Sequence, residues 1–290
     1  MVYLILSILC SVSIPVAFKL FEKHNIPIIY PILINYVTAA IIGFSLIGFN
    51  SQRVALSTPE TWYPVAIVVG IMLIVMFFAI GYAAQKIGIA ATTLSNKLSV
   101  VIPISFSLFY DSNDQFSLIK GIILALAILA LFLSIYKPFQ IKTSFLFWLP
   151  FLLFAGLGII DSVIKYAQTN FIDTPEGSAI FSAFAFAIAG MAGFMFLFFK
   201  GESLFDMIKF KYFAGGMVLG LVNFGSMYFF INALNKLPSS NSMVFGANNI
   251  GVVLLSVFIA KVIYKETLSK INIAGICLAI ISISLIFLSI

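Results

Sequence analysis

The stretch of sequence that decides the fold runs from Gly220 to Glu266 and reads GLVNFGSMYFFINALNKLPSSNSMVFGANNIGVVLLSVFIAKVIYKE. It contains two apolar runs, 220–234 and 241–259, which are separated by a polar turn and followed by the charged segment 261–266. Polar residues that hydrocarbon does not readily accept lie inside both runs. They are Asn223, Ser226, Tyr228, Asn232, Asn248 and Asn249. The pattern predicts two membrane helices that turn a polar face towards a bundle interior.

A related unit occurs earlier in the chain, over 70–114. Gly70 lies opposite Gly220, and Gln85-Lys86 lies opposite Asn235-Lys236, at a spacing of 150. The spacing then drifts by two residues, so that Asp114 lies opposite Glu266, and by two more, so that Gly121 lies opposite Gly275. Further upstream, residues 14–19 lie over 160–165 at a spacing of 146. The sequence therefore predicts a duplicated unit with copies at 1–140 and 141–290.

Composition indicates an integral membrane protein. Hydrophobic residues make up 62% of the chain and charged residues only 9%, and the mean hydropathy is +1.16. Backbone groups in hydrocarbon must be hydrogen-bonded internally, and runs of about 20 apolar residues without strict alternation favour helices over a barrel. The fold class we expect is an all-α membrane protein.

Charge and cysteine usage exclude several other classes. The net charge of +6 is scattered over short connections without a basic block, so nucleic-acid binding is not expected. Cys10 and Cys277 each lie in an apolar run without a CxxC pattern, which argues against a redox or metal site. The first residues have neither a basic start nor a cleavage site, so they are expected to remain as the first span.

Ten apolar segments can be marked off along the chain. They are approximately 2–21, 29–49, 61–84, 89–110, 117–136, 145–167, 177–199, 211–234, 240–260 and 271–289. Thr58-Pro59-Glu60 and Thr174-Pro175-Glu176 supply helix-start signals for the third and seventh segments. Because each half has five spans, an odd number, the second half is predicted to enter the membrane from the opposite side. We therefore expect ten transmembrane helices arranged as two inverted-topology five-helix repeats, with a binding site between the halves.

These features resemble the drug/metabolite transporter superfamily, in particular its ten-span EamA-like branch. The resemblance covers the whole chain and rests on 14–19 and its echo 160–165, on the turns 85–88 and 235–240, and on Lys265-Glu266-Thr267-Leu268 followed by Gly275. The chain departs from the family pattern at Cys10-Ser11, where Trp-Gly is usual, and at Asp114-Gln115-Phe116. The resemblance implies a transporter of small metabolites or amphipathic compounds, often in the outward direction, with a lipid bilayer and a small-molecule substrate as its partners. A bacterial cytoplasmic (inner) membrane is the expected location.

Charged residues within or near spans are the first candidates for a substrate-binding cavity. Asn96 and Lys97 lie about eight residues into the fourth segment, where a lysine cannot easily reach an interface. Asp161 and Lys165 are four residues apart and can pair on one helix face. Lys19 ends the first span, where it either snorkels to the interface or lines a cavity.

Uncharged polar residues complete the set of cavity candidates. Buried asparagine also joins helices to one another, at about 0.6 kcal/mol per hydrogen bond, and this alternative stays open for each of them. Pro15 and Pro103 either break the first and fourth spans or merely kink them. The uncharged candidates are Asn223, Tyr228, Asn248, Asn249, Tyr82 and Asn35.

No catalytic, cofactor or metal motif occurs in the sequence, and His24 is the one histidine. The main hypothesis is therefore a secondary transporter. An alternative is a membrane-embedded enzyme acting on a lipid or isoprenoid substrate, which would require clustered Asp, His or Arg. A sensor or scaffold subunit would require partners, and the sequence does not indicate an oligomeric state.

Two arguments about orientation disagree. Most lysines lie at the odd-numbered connections, which by the positive-inside rule places these connections in the cytoplasm and both termini outside. The family resemblance implies both termini in the cytoplasm.

Overall fold

The computed structural model describes residues 2–46, 62–103, 105, 118–135, 144–171, 175–236 and 241–289. All regular secondary structure in these ranges is helical. The described residues form ten α-helices, one in each of the ten predicted segments. Their bounds are α1 Val2–Lys23, α2 Ile29–Leu46, α3 Tyr63–Lys86, α4 Ile89–Leu98, α5 Leu118–Ile135, α6 Ser144–Phe171, α7 Pro175–Phe199, α8 Phe210–Lys236, α9 Asn241–Val262 and α10 Lys270–Ser289.

The fourth predicted segment, 89–110, is interrupted after α4, and its residues 104 and 106–110 lie outside the described residues. Helix α4 ends at Leu98, and a turn at Ser99 and Val100 precedes further helical residues at 101–103. Pro103 has no N–H to donate to the Ser99 carbonyl, which accepts instead from Ile102 N–H at 2.9 Å. By contrast, α1 continues through Pro15. A 3₁₀ helix at Leu204–Ile208, which the sequence analysis did not predict, joins α7 to α8.

Helix length and composition agree with a membrane location. Six helices of the described residues are long and apolar enough to cross a bilayer, namely α1, α2, α3, α6, α7 and α8. Shorter apolar helical stretches lie in α5, α9 and α10. The capping signals at 58–60 fall outside the described residues, whereas α7 begins at Pro175 as predicted.

The chain divides into two compact units, and each unit takes residues from both predicted halves. The first unit comprises residues 1–19, 80–159 and 225–290. Within it α5 packs against α10, and α4 packs against α9. Leu94 and Leu98 of α4 share a core with Ala127 of α5, Val253 of α9 and Ile276 of α10.

The second unit comprises residues 20–79 and 160–224. Helices α2 and α7 form its main pair. Ile29, Tyr30 and Leu33 of α2 form a core cluster with Leu197 of α7. Glycines allow close approach of the neighbouring helices: a Cβ atom on Gly216 would lie 2.5 Å from Ile34 Cβ and 3.0 Å from Pro31 O. Helices α2 and α8 therefore touch backbone to backbone.

Close contacts in the second unit recur at a spacing of 150. A Cβ atom on Gly70 would lie 2.8 Å from both Ala185 O and Ile188 Cβ. Residues 150 positions away make the same contact, because a Cβ atom on Gly220 would lie 2.8 Å from Asn35 O and 2.6 Å from Thr38 Cβ.

A second pair of contacts follows the same rule. A Cβ atom on Gly43 would lie 3.1 Å from Ala183 Cβ, and one on Gly193 would lie 3.1 Å from Leu33 Cδ1. Gly193 and Ala183 lie 150 positions after Gly43 and Leu33. Each of these contacts joins a residue of 1–140 to a residue of 141–290, at positions that the sequence spacing of 150 pairs.

Candidate functional site

The turn between α3 and α4 is closed by a carboxylate from the last connection of the chain. Gly88 precedes α4 with φ 103°, a conformation that favours glycine. Glu266 Oε1 accepts a hydrogen bond from Ile89 N–H at 2.7 Å, and Oε2 accepts from Ala90 N–H at 3.4 Å. A Cβ atom on Gly88 would lie 2.6 Å from Glu266 Oε2. The carboxylate therefore caps α4, where it also meets the positive end of the helix dipole.

Lys19 and Gln85 tie the end of α1 to the end of α3. Lys19 Nζ donates to Gln85 O at 2.9 Å, and Gln85 Nε2 donates to Phe18 O at 3.1 Å. Gln85 O is one of the last carbonyls of α3, which cannot all be satisfied within the helix. Lys19 is partly buried in this arrangement, so its ammonium group serves helix packing and is not simply extended towards solvent.

Asn272 joins two further helix ends. Ser269 and Asn272 form a reciprocal cap at the start of α10, with Ser269 N–H donating to Asn272 Oδ1 at 2.9 Å and Asn272 N–H donating to Ser269 Oγ at 3.1 Å. Asn272 Nδ2 also donates to Leu133 O at 3.2 Å and to Ser134 O at 2.8 Å, near the end of α5. The connection between α9 and α10 thus fixes the ends of α4, α5 and α10.

These helix ends surround a cavity of about 370 Å³ in the first compact unit. Tyr264 precedes the lining residues Lys265 and Glu266 in the chain. Its pKa is raised, mainly by burial and to a lesser extent by the neighbouring Glu266 carboxylate. The lining combines charged, amide and apolar side chains. It consists of Lys19, Gln85, Lys86, Ile87, Gly88, Ala90, Ala91, Leu94, Ser134, Leu146, Phe147, Pro150, Lys265, Glu266, Thr267, Leu268, Asn272 and Ile276.

Helix α4 carries the polar run that the sequence singles out. Thr92 Oγ1 donates to Gly88 O at 2.7 Å, so this hydroxyl is hydrogen-bonded to the backbone at the start of its own helix. Thr93 is 5% exposed, and its Oγ1 has no hydrogen-bond partner among the described residues. Asn96 and Lys97 follow in the last turn and are half-buried. A buried hydroxyl without a partner is costly, which makes Thr93 a candidate for contact with a ligand.

Helix α9 carries the candidates Asn248 and Asn249 and packs against α4. Ala90 shares a core cluster with Ala260, and Leu98 shares one with Val253, so α4 and α9 run antiparallel. The N-terminal part of α9, which carries Asn248 and Asn249, therefore lies towards the C-terminal end of α4, which carries Asn96 and Lys97. Asn248 is 4% exposed and its Oδ1 has no hydrogen-bond partner in the described part of the chain.

The structure brings two other candidates together in the second unit. Asn223 Nδ2 donates to Asn35 Oδ1 at 3.1 Å, across the close crossing of α8 and α2. Asn35 is fully buried, and its Nδ2 has no partner within the described ranges. Residues 150 positions away from this pair are Ala185 and Leu73, which are apolar. The shared packing therefore does not need the amides.

The other predicted candidates are placed separately. Asp161 is exposed on α6, and the side chain of Lys165 lies outside the described residues, so their pairing stays a prediction. Tyr82 and Tyr228 are 38% and 41% exposed on α3 and α8. The ring of Tyr228 contacts Phe229 at a centroid distance of 5.5 Å.

Sequence reasoning missed three polar residues around the cavity. Glu266 and Gln85 enter the sequence analysis only through the internal repeat and the family resemblance, and Asn272 does not enter it at all. A local signal exists for Asn272, because the spacing Ser269-x-x-Asn272 just before an apolar run is typical of a helix cap. No local signal shows that Glu266 reaches a helix 177 positions earlier.

Comparisons with known proteins agree with this architecture. The model of the EamA-like transporter family matches residues 143–288, which include nearly all of α6 to α10. An uncharacterized protein of Haemophilus influenzae (strain ATCC 51907 / DSM 11121 / KW20 / Rd) is 30% identical over 298 residues, covering 98% of this chain and 96% of the relative. With its apolar helices, the chain is a multi-pass integral membrane protein. It belongs to the EamA-like transporter family, within the drug/metabolite transporter superfamily.

Proposed function

We propose that this protein is a secondary transporter that moves a small metabolite or amphipathic solute by alternating access between two inverted-topology five-helix repeats. Family membership supports the transporter class. The bacterial relative supports a bacterial cytoplasmic membrane as the location. All ten predicted spans would cross the bilayer, with the helical residues 101–103 continuing the fourth span beyond α4.

The observation that carries the proposal is the recurrence of contacts at a spacing of 150. Gly70 meets Ala185 as Gly220 meets Asn35, so exchanging the two halves leaves the contacts unchanged. Tyr36 and Phe186 are themselves 150 positions apart, and their ring centroids lie 6.1 Å from each other. Residues that are exchanged by a rotation can touch only near its axis. A twofold relation between the halves is what an inverted repeat requires.

The polar residues of α4 and α9 are the proposed substrate contacts. These two helices are counterparts in the repeat and pack against each other. Asn96, Lys97, Asn248 and Asn249 would supply hydrogen bonds and one positive charge, together with the buried hydroxyl of Thr93. The lysine favours a substrate that carries an anionic or strongly polar group.

Side-specific labelling tests the inverted repeat. In a variant without Cys10 and Cys277, single cysteines would replace Lys86 at the end of α3, Lys236 at the end of α8, and Lys200 just after α7. An impermeant thiol reagent should label Lys86→Cys and Lys200→Cys from one side of the membrane and Lys236→Cys from the other. Labelling of Lys86→Cys and Lys236→Cys from the same side would overturn the inverted topology, and the labelled side gives the orientation.

Transport assays test the site. Proteoliposomes would be screened with radiolabelled metabolites for uptake and counterflow. For any transported solute, Lys97→Ala should lower flux at least about tenfold, since hydrogen bonds to charged groups contribute about 1.5–3 kcal/mol. Lys261→Ala, which removes an exposed lysine at the end of α9, is the matched control. Equal flux in the two variants would remove Lys97 from the site.

A further inference from the structure

The cavity of about 370 Å³ in the first compact unit is separate from the proposed transport contacts and has an excess of positive charge. Lys19, Lys86 and Lys265 line it, together with a single carboxylate, Glu266. Both oxygens of that carboxylate accept hydrogen bonds from the backbone at the start of α4. Its negative charge is thus directed at the start of the helix.

The lysine and amide groups are held in place by the fold. Lys19 Nζ is fixed by Gln85 O at 2.9 Å, and Asn272 is fixed by its bonds to Ser134 O and Ser269. Lys86 and Lys265 are exposed at the cavity edge, next to Gly88 and Glu266. A preformed polar end of this kind suits recognition of a carboxylate or a phosphate.

Part of the lining is apolar. Leu146, Phe147 and Pro150 of α6 contribute to it, as does Ile276 of α10. The volume lies at the lower end of the range for small-molecule sites, about 300–1,000 Å³. A simple inorganic anion would leave this apolar part without a partner, whereas a molecule with an alkyl segment would cover it.

We propose that this cavity binds an amphipathic anion, with its carboxylate or phosphate at Lys86 and Lys265 and its apolar part against α6. Two sources supply this chemistry: an anionic phospholipid of the surrounding bilayer and a dissolved amphipathic solute. The site does not depend on alternating access, and its test measures binding and not transport.

The experiment measures thermal unfolding of the full-length protein in a neutral detergent, with each probe added over a range of concentrations. The probes are dihexanoyl-phosphatidylglycerol for the lipid source and hexyl phosphate for the dissolved source. Dihexanoyl-phosphatidylcholine and inorganic phosphate test charge and alkyl chain separately. We expect at least one amphipathic anion to raise the unfolding temperature, and neither of the last two probes to match it.

The pocket variant is Lys86→Gln with Lys265→Asn, and asparagine suits the positive φ of 54° at residue 265. Its affinity for the amphipathic anion should fall about tenfold or more. The control is Lys23→Gln with Lys211→Gln, which removes two exposed lysines outside the cavity lining. As a second variant, Phe147→Glu should weaken binding by placing a negative charge in the apolar part.

Stabilisation by phosphatidylglycerol alone supports the proposal with a lipid source, and stabilisation by hexyl phosphate supports it with a dissolved source. Equal affinities of the pocket and control variants would overturn it. So would an effect of phosphatidylcholine as large as that of phosphatidylglycerol, an effect of inorganic phosphate alone, or the absence of any effect.

Discussion

Helix α3 approaches α7 at Gly70 as α8 approaches α2 at Gly220, yet the second crossing carries an asparagine pair and the first does not. The glycine contacts agree within a few tenths of an ångström. At the positions of Asn35 and Asn223, the other crossing has Ala185 and Leu73. The difference separates two requirements. Glycine permits the close backbone approach at both crossings, whereas the asparagine amides have a role that is specific to the crossing of α8 and α2.

The largest effect is expected where the two crossings agree. Gly70→Ala and Gly220→Ala should each destabilise the protein by about 1–3 kcal/mol, because the new Cβ meets a backbone carbonyl and the Cβ of a branched side chain. Gly190→Ala is the control, since its Cβ would lie 3.7 Å from the nearest atom. Thermal unfolding in detergent measures the change. If the Gly70 variant is as stable as the Gly190 variant, the two crossings are not equivalent.

The second prediction concerns the polar pair that distinguishes the crossings. Asn223→Leu alone should cost about 1–3 kcal/mol, because it leaves the Asn35 amide buried without its partner. Adding Asn35→Ala installs the residues of the other crossing and should restore stability. Thermal unfolding of both variants in detergent tests whether the double variant is more stable than the single variant.

Transport by the double variant then shows what the pair does. If Asn35→Ala with Asn223→Leu is stable but transports poorly, the amides act in transport. Full transport at full stability would show that the pair only joins helices.

A smaller effect is expected at the cap of α4. Glu266, from the second half of the sequence, provides this cap for a helix of the first half. Glu266→Ala should destabilise by about 0.5–2 kcal/mol, the usual cost of losing a helix cap. Glu266→Gln keeps one oxygen acceptor and should lose less. Urea-induced unfolding of the two variants tests this order, and an Ala variant as stable as the parent would contradict the capping role.

The smallest effects are expected for the bonds between α1 and α3. Lys19→Met and Gln85→Met each remove one hydrogen bond to a carbonyl and should each cost about 0.5–1.5 kcal/mol. The losses should add, since the two bonds use different donors and acceptors. A double variant no less stable than either single variant would show that the bonds are not independent.

Much of the fold could be predicted because a membrane helix can be identified from the composition of its own segment. Apolar length defines the ten segments, and the Gly70 to Gly220 spacing indicates which positions are equivalent. The interruption of the fourth span after α4 is one of the two alternatives that Pro103 predicts. The sequence analysis does not predict the 3₁₀ helix at Leu204–Ile208, because five residues are too few to show a helical period of apolar residues.

The site was less predictable because sequence does not show which helix faces meet. Asn35 and Asn223 were separate candidates, and their bond spans 188 positions. The position of Lys19 at the end of the first span is compatible with an interface or a cavity, and neither alternative predicts its hydrogen bond to Gln85 O. Such contacts depend on helix packing in space, which periodicity along a single segment does not encode.

The cap that Glu266 provides has a consequence for biogenesis. Ile89 leaves the ribosome 177 residues before its acceptor. At about 5–20 residues per second, α4 must wait roughly 9–35 seconds during synthesis before its first N–H groups can meet that carboxylate. Through this interval the start of α4 relies on water or on lipid headgroups for hydrogen bonding. A nascent chain that stalls after α8 would expose this unfinished helix end, and membrane quality-control proteases could act on it before the last two helices arrive.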